Sequence, residues 1–261
     1  MERASRVAGV LVRGSVYLML ALPALIVIAS SVSRTRFLTF PPQGFTLDWY
    51  GRAFRSQAFM GSLALSTELA VAATLLALAI GTPAAYAIDR HRFRGRDLFH
   101  AFVMSPMIVP LVVLAIGLLQ LVTWLGFGQA FLRLLVGHVV ITLPYVVRTT
   151  TASLALFDRA LEEAAMNLRA TPWQVVRRVT LPILLPGLLS AAVFCFVTSF
   201  GNITVSVFLA RGNQVTLPVQ IFTYVEHSYD PILAAVSTLV VVVTLIVIFL
   251  VERTVGLERM V

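Results

Sequence analysis

The sequence predicts an all-α polytopic membrane protein, with six transmembrane helices and one polar helical elbow on the cytoplasmic side. Three observations carry this. Of the 261 residues, 59% are hydrophobic and only 12% charged, where a soluble domain holds about a quarter charged. Mean hydropathy is +0.91. Apolar runs of about 20 residues, enough to cross a bilayer, recur along the chain, and one dense run of charge, Leu154 to Pro186, interrupts them.

The expected spans lie at about 13–33, 62–88, 101–123, 130–149, 183–209 and 232–251, in a single transmembrane domain over residues 1–261. The first follows Arg3, Arg6 and Arg13. It is too long for a signal peptide and lacks a small-residue cleavage site, so it is read as a retained span. The second ends at the basic block His91–Asp97. The third opens with Pro106 and Pro110. Each removes a helix donor, which predicts a kinked or loosened start. Trp124–Gln129 is a short uncharged link, so the third and fourth spans are expected as antiparallel neighbours. Arg133 and His138 interrupt the fourth. Cys195 stands alone in an apolar run and is read as a small core residue.

Arginine sets the topology. The chain has no Lys, so all 20 basic residues are Arg. With the N-terminus inside, the cytoplasmic segments hold Arg3, Arg6, Arg13, Arg90, Arg92, Arg94, Arg96, Arg148, Arg159, Arg169, Arg177, Arg178, Arg253 and Arg259. The outer segments hold Arg34, Arg36, Arg52, Arg55, Arg133 and Arg211. The positive-inside bias therefore puts both termini and the polar run in the cytoplasm. It also accounts for the +8 net charge without nucleic acid as a partner. In the first outer segment, Pro41, Pro42 and Gly44 break regular structure before an amphipathic run of Leu47, Trp49, Tyr50 and Phe54. Trp49 and Tyr50 suit an interfacial anchor. The last outer segment, Arg211 to Asp230, with Asn213, Tyr224, Glu226 and His227, is polar enough to meet a partner or a substrate.

Polar groups at membrane depth face a bundle interior or a water path. Glu68 is the acid inside a span. Ser199, Asn202 and Ser206 are three and four apart and are expected on one face of the fifth helix. His138 and Thr142 are four apart on the fourth. Glu68, His138, Ser199, Asn202 and Ser206 are the candidates for a translocation path; hydrogen bonding between helices uses the same residue types. No metal-spaced His/Cys cluster, nucleophile–base set or phosphate-binding GxxxxGK[ST] loop is present. The sequence reads as a non-catalytic subunit with no cofactor of its own, unable to hydrolyse ATP by the P-loop route.

The polar run predicts two short helices, an elbow over about 154–181. Leu154, Phe157, Leu161, Ala164, Ala165 and Leu168 give the first an apolar face. Asp158, Arg159, Glu162 and Glu163 occupy the rest, with Arg159 and Glu163 placed to pair. The second starts at Thr171, with Pro172 in the first position and Gln174 completing a capping box. Leu181-Pro182 is expected to end it. Small Ala164 and Ala165 favour close approach of another protein over anchoring in lipid headgroups.

These residues resemble the EAA-(x3)-G-(x9)-I-x-L-P signature of permease subunits of ATP-binding-cassette importers. Glu163, Ala164 and Ala165 match its start, Val179 stands at the Ile and Leu181-Pro182 match its close. Arg169 replaces the glycine that makes the left-handed turn. In that conformation it costs about 1–2 kcal/mol, or the turn shifts toward Asn167. The stretches FPPQGFTLDWY, PAAYAIDRHRFRGRD and SPMIVPLVVLAIGLL extend the likeness to the spermidine/putrescine-type branch, second permease subunit. The resemblance implies a type I importer permease fold in the bacterial cytoplasmic membrane. It also implies a separate ATPase dimer that binds the ATP and Mg and grips the elbow, through Asp158, Leu161, Glu162, Glu163, Ala164, Ala165, Leu168, Arg169 and Pro172. A second permease subunit completes the pore, and an external solute-binding protein delivers a polyamine or a related organic amine or phosphonate. Polyamine members carry an acidic pair where Gly201 and Asn202 stand here. Two further readings remain: an ion-gradient-driven secondary transporter using Glu68, and a membrane scaffold without transport.

Overall fold

A computed structural model describes residues 2–212 and 214–255; Asn213 and Arg259 lie outside the described residues. Among the described residues the regular elements are helices, with no strand. The helices are α1 (Glu2–Ser31), α2 (Asp48–Arg55), α3 (Gln57–Arg90), α4 (Arg96–Met104), α5 (Leu111–Trp124), α6 (Ala130–Leu156), α7 (Ala160–Asn167), α8 (Pro172–Val175), α9 (Leu181–Phe200), α10 (Thr204–Leu209), α11 (Leu217–His227) and α12 (Ile232–Val255). The described residues pack into two compact units, 2–61 with 220–246, and 62–219 with 247–255.

By length and composition, Val12–Ser31, α3, α6 and the run Pro172–Phe200 can each cross a membrane. A shorter apolar run, Ile232–Ile246, begins α12. The third expected span is broken. Residues Arg96–Met107 and Leu111–Trp124 meet at 107°, with a 3-10 turn at Ser105–Met107 and Pro110 capping α5. The two prolines produce the interruption their missing donors predict. These elements are compatible with six crossings.

Four local expectations need correction. Helix α6 continues to Leu156, so Leu154 belongs to it and the first elbow helix begins only at Ala160. Leu181-Pro182 does not end the second elbow helix. A π turn, Val176–Thr180, joins α8 to α9, and its wider coil makes room where the proline ring would press on the carbonyl four residues back. The fifth span does not run to residue 209 as one helix but stops at Phe200 and restarts at Thr204. Trp49 is no interfacial anchor: it is buried, and its Nε1 donates to the Ser33 carbonyl at 2.9 Å.

In the second unit, Leu69, Leu118, Leu134, Ile141, Val205 and Leu209 form an apolar cluster, bringing α3, α5, α6 and α10 together. Lipid is as apolar as leucine, so close van der Waals contact rather than exclusion of water holds such helices. Gly137 and Gly187 allow it. A Cβ at Gly137 would collide with Leu209 Cδ1, and one at Gly187 with Ser153 Oγ. Cys195 is buried and free, its thiol 3.5 Å from the Thr142 carbonyl.

Candidate translocation cavity and coupling elbow

Two helix breaks bound one cavity. The bend around Ile108–Pro110 and the gap at Gly201–Ile203 both border a space of about 350 Å³, lined by Pro106, Met107, Leu111, Tyr145, Thr198 and Asn202. Irregular backbone at membrane depth persists only where protein buries it or it lines a cavity. Asn202 serves both ends of this requirement. Its Oδ1 accepts from the Val205 N–H at 2.8 Å, capping α10, and the residue lines the cavity.

His138, Ser199 and Ser206 come together, but away from that cavity. Imidazole Nδ1 lies 2.7 Å from Ser199 Oγ and Nε2 3.1 Å from Ser206 Oγ. His138 is 0% exposed and Ser199 2%. Ser206 also donates to the Asn202 carbonyl at 2.7 Å. The imidazole thus bridges α9 and α10 across their break, joining both to α6. Ser199, Asn202 and Ser206 do not share a helix face, because the break turns Asn202 out of line. Glu68 stands exposed on α3, with no ion-pair partner among the described residues.

The elbow is built from its caps inward. Asp158 Oδ1 accepts from the Ala160 N–H at 2.9 Å and starts α7. Arg169 ends it at φ 66°. The Ala170 N–H bonds to the Ala165 carbonyl at 3.1 Å and the Arg169 N–H to that of Met166 at 2.9 Å, a Schellman turn with arginine in the glycine position. The turn therefore stays on Arg169 rather than moving to Asn167. Thr171 and Gln174 form the expected capping box, with Thr171 N–H bonded to Gln174 Oε1 at 2.8 Å.

Helix α7 is turned opposite to the sequence expectation. Its buried residue is Glu162, at 7% exposure, while Leu161 is 50% and Leu168 85% exposed. Ala164 and Glu163 are exposed, Ala165 half-buried and Pro172 exposed. Glu162 Oε2 accepts from Arg90 Nε at 3.0 Å and Oε1 from Thr180 Oγ1 at 2.7 Å. Arg90 also pairs with Asp89 and lies over the Phe157 ring, 5.5 Å from its centroid. Arg159 does not pair with Glu163; its Nη2 donates to the Asp89 carbonyl at 3.0 Å. A buried guanidinium at the end of α3 needs a carboxylate, and the rotation that supplies one leaves Leu161, Met166, Leu168 and Trp173 outward. Asp89, Arg90 and Thr180 were invisible as elbow residues. Arg90 reads in sequence as the first of a run of topological arginines, and the nearest signal was the doubled Glu162-Glu163, one of which had to face in.

A family model described as the binding-protein-dependent transport system inner membrane component matches residues 77–255. The chain is 32% identical over 236 residues to the spermidine/putrescine transport system permease protein PotC of Haemophilus influenzae, covering 90% of this chain and 91% of that one. It is 30% identical over 225 residues to the putrescine transport system permease protein PotI of Escherichia coli, covering 84% and 80%. Its fold is similar to a chain of a bacterial ABC transporter involved in import of the acidic polysaccharide alginate, at TM-score 0.74 and 18% identity over 97% of this chain and 96% of that one.

Proposed function

The chain belongs to the family of binding-protein-dependent transport system inner membrane components, and from that premise we propose how it works as the permease subunit of an ATP-binding-cassette importer. The chain is non-catalytic, and a separate ATPase supplies the energy. The observation that carries the coupling reading is the outward apolar face of α7, with Leu161 and Leu168 exposed beside Glu163 and Ala164. An exposed cluster of this kind marks a protein contact. The ATPase dimer covers it, so Asp158, Leu161, Glu163, Ala164, Leu168 and Pro172 touch the partner or shape its seat. Glu162 and Arg169 act within the chain: Glu162 ties α7 to α3, and Arg169 closes its end. Both termini and the elbow face the cytoplasm, the side that the arginine bias favours.

The cavity beside Asn202 is this chain's share of the path. Closure of the ATPase dimer moves α7, and α9 carries that motion to the break at Gly201–Ile203. A ligand or partner shifts such an equilibrium only by its different affinity for the two states, so the elbow must sit differently on the open and closed ATPase. His138, Ser199 and Ser206 hold the break together and do not meet solute, a reading supported by their burial. The solute is a polyamine or a related organic amine, by likeness to the relatives above. Among the described residues no carboxylate lines the cavity, so the charge partner of a polycation comes from the second permease subunit, and the external binding protein selects the solute. Exposed Glu68 is poorly placed for an ion-gradient mechanism, which needs an enclosed site.

The test is co-purification with the candidate ATPase and uptake in proteoliposomes, using Glu163→Arg. Loss of both association and stimulated ATP hydrolysis is the expected result. Unchanged association and hydrolysis would refute docking through α7.

A further inference from the structure

Arg148 is the one exposed residue of α6 between Arg133 and Thr151; every other residue there is buried or half-buried. Among the described residues the ion pairs lie elsewhere, at Asp89, Arg90, Arg159 and Glu162, and Arg148 has no hydrogen-bond partner. Its sequence position marks only the inner edge of the fourth span, but packing sets it deeper. The Cys195 thiol lies 3.5 Å from the Thr142 carbonyl, and the Ser153 side chain fills the space beside Gly187. Helices α6 and α9 therefore run antiparallel, and Arg148 is level with the stretch of α9 between Gly187 and Cys195. That stretch lies inside the apolar run Pro172–Phe200. A charge at such depth faces a bundle interior or a water path.

The cavity beside Asn202 supplies the path. Ile141 and Tyr145 line it. Ile141, Tyr145, Arg148, Ala152 and Ala155 recur at steps of four and three, so they share one face of α6. Along that face burial gives way to exposure. Ile141 is buried, Tyr145 half-buried, and Arg148, Ala152 and Ala155 are exposed. Arg148 follows Tyr145 by three residues, about 4.5 Å along the axis. Beyond it the two alanines leave the face open to the end of the helix. A solute that leaves the cavity toward the elbow end of α6 passes a fixed positive charge, with no carboxylate in the described lining to offset it.

We propose that Arg148 is a specificity-determining residue of the path, and that the transported amine also carries an acidic group, a carboxylate or a phosphonate. The proposal rests on the importer reading above and narrows its solute. A carboxylate or phosphonate oxygen pair matches the forked donors of the guanidinium in two parallel hydrogen bonds. A bare polycation meets only repulsion at the same place, and charges lining a narrow path sort what passes by sign.

The experiment measures uptake by the whole transporter in proteoliposomes, driven by its binding protein. Three labelled solutes are compared: putrescine, ornithine (the same diamine with a carboxylate added) and aminoethylphosphonate. Wild type is expected to carry at least one of the two acidic amines better than putrescine. Arg148→Gln should lower that uptake about tenfold, and Arg148→Lys should retain part of it. Arg148→Glu should lower it further and raise the uptake of putrescine, a reversal that lost packing would not produce. Co-purification with the second permease subunit is followed in parallel. Its loss in Arg148→Gln assigns the guanidinium to an acid of that subunit and overturns the proposal. A wild type that carries putrescine and neither acidic amine overturns it as well, as does one that carries none of the three. Variants that slow every carried solute equally, or none, also overturn it. Stimulation of wild-type ATP hydrolysis by the binding protein separates the two readings: if it persists, only the solute proposal has failed, and if it is absent, the importer reading fails too.

Discussion

Replacing Glu162 with alanine removes the acid from a buried ion pair. Arg90, with its side chain 7% exposed, loses the 3.0 Å bond from Nε. Its Nη2 already lacks a partner in the described structure. The Thr180 hydroxyl, buried, loses its acceptor as well. Deleting one partner of a buried pair costs about 3–5 kcal/mol, chiefly because the other charge is left unpaired. Asp89 stays bonded to Arg90, so the low end, about 3 kcal/mol, is the expected value. That is a factor of about 150 in the equilibrium between packed and released α7. Hydrogen exchange of the complex in nanodiscs reads this directly. Peptides covering residues 158–180 should lose protection by about that factor, while α5 keeps its own. ATP hydrolysis should then proceed with little uptake, because a released α7 no longer moves α3 and α9. Glu163→Gln, one residue away and exposed, should leave exchange unchanged in the permease free of the ATPase. If Glu162→Ala leaves the protection of 158–180 as in wild type, the pair does not hold the elbow and the reasoning fails.

Arg169→Gly should raise the thermal midpoint of the purified complex, since relief of about 1–2 kcal/mol of left-handed strain outweighs glycine's greater freedom when unfolded; a lower midpoint would show that the arginine side chain has a compensating contact. Gly137→Ala should destabilise the fold by about 1–3 kcal/mol through overpacking against Leu209 and Val205, seen as reduced yield and midpoint, and Leu209→Ala in the same chain should restore part of the loss. His138→Leu should cost about 2 kcal/mol by leaving the Ser199 hydroxyl short of a partner, measured by thermal unfolding. Asn202→Leu should alter the KM or rate of uptake in proteoliposomes while assembly with the ATPase stays intact; uptake kinetics equal to wild type would remove Asn202 from the path.

Much of the fold was legible because its signals are local. The apolar runs, the capping box at Thr171–Gln174 and the donor lost at Pro106 and Pro110 each depend on residues within a few positions of one another. The polar run gave itself away by charge alone, and its closing helix by Pro172. The site was legible in its parts: His138, Ser199, Asn202 and Ser206 are all residues that a membrane helix keeps for a reason. Their division was not. Spacing put Ser199, Asn202 and Ser206 on one face, and it could not foresee that Gly201 would end the helix and send Asn202 to a cavity while both serines turned to an imidazole.

Sequence by itself determined that this chain lives in a bilayer, and where the second helix of its elbow begins and is capped. Those properties follow from transfer of side chains into lipid and from hydrogen bonds a turn apart. The tertiary structure alone decided which face of α7 is offered outward. Helical periodicity ranks Leu161 and Leu168 for burial, yet Arg90, 72 positions before Glu162 in the chain, overrules it. An unpaired buried charge costs more than two exposed leucines, so the helix turns its acid inward and leaves its apolar side for a partner.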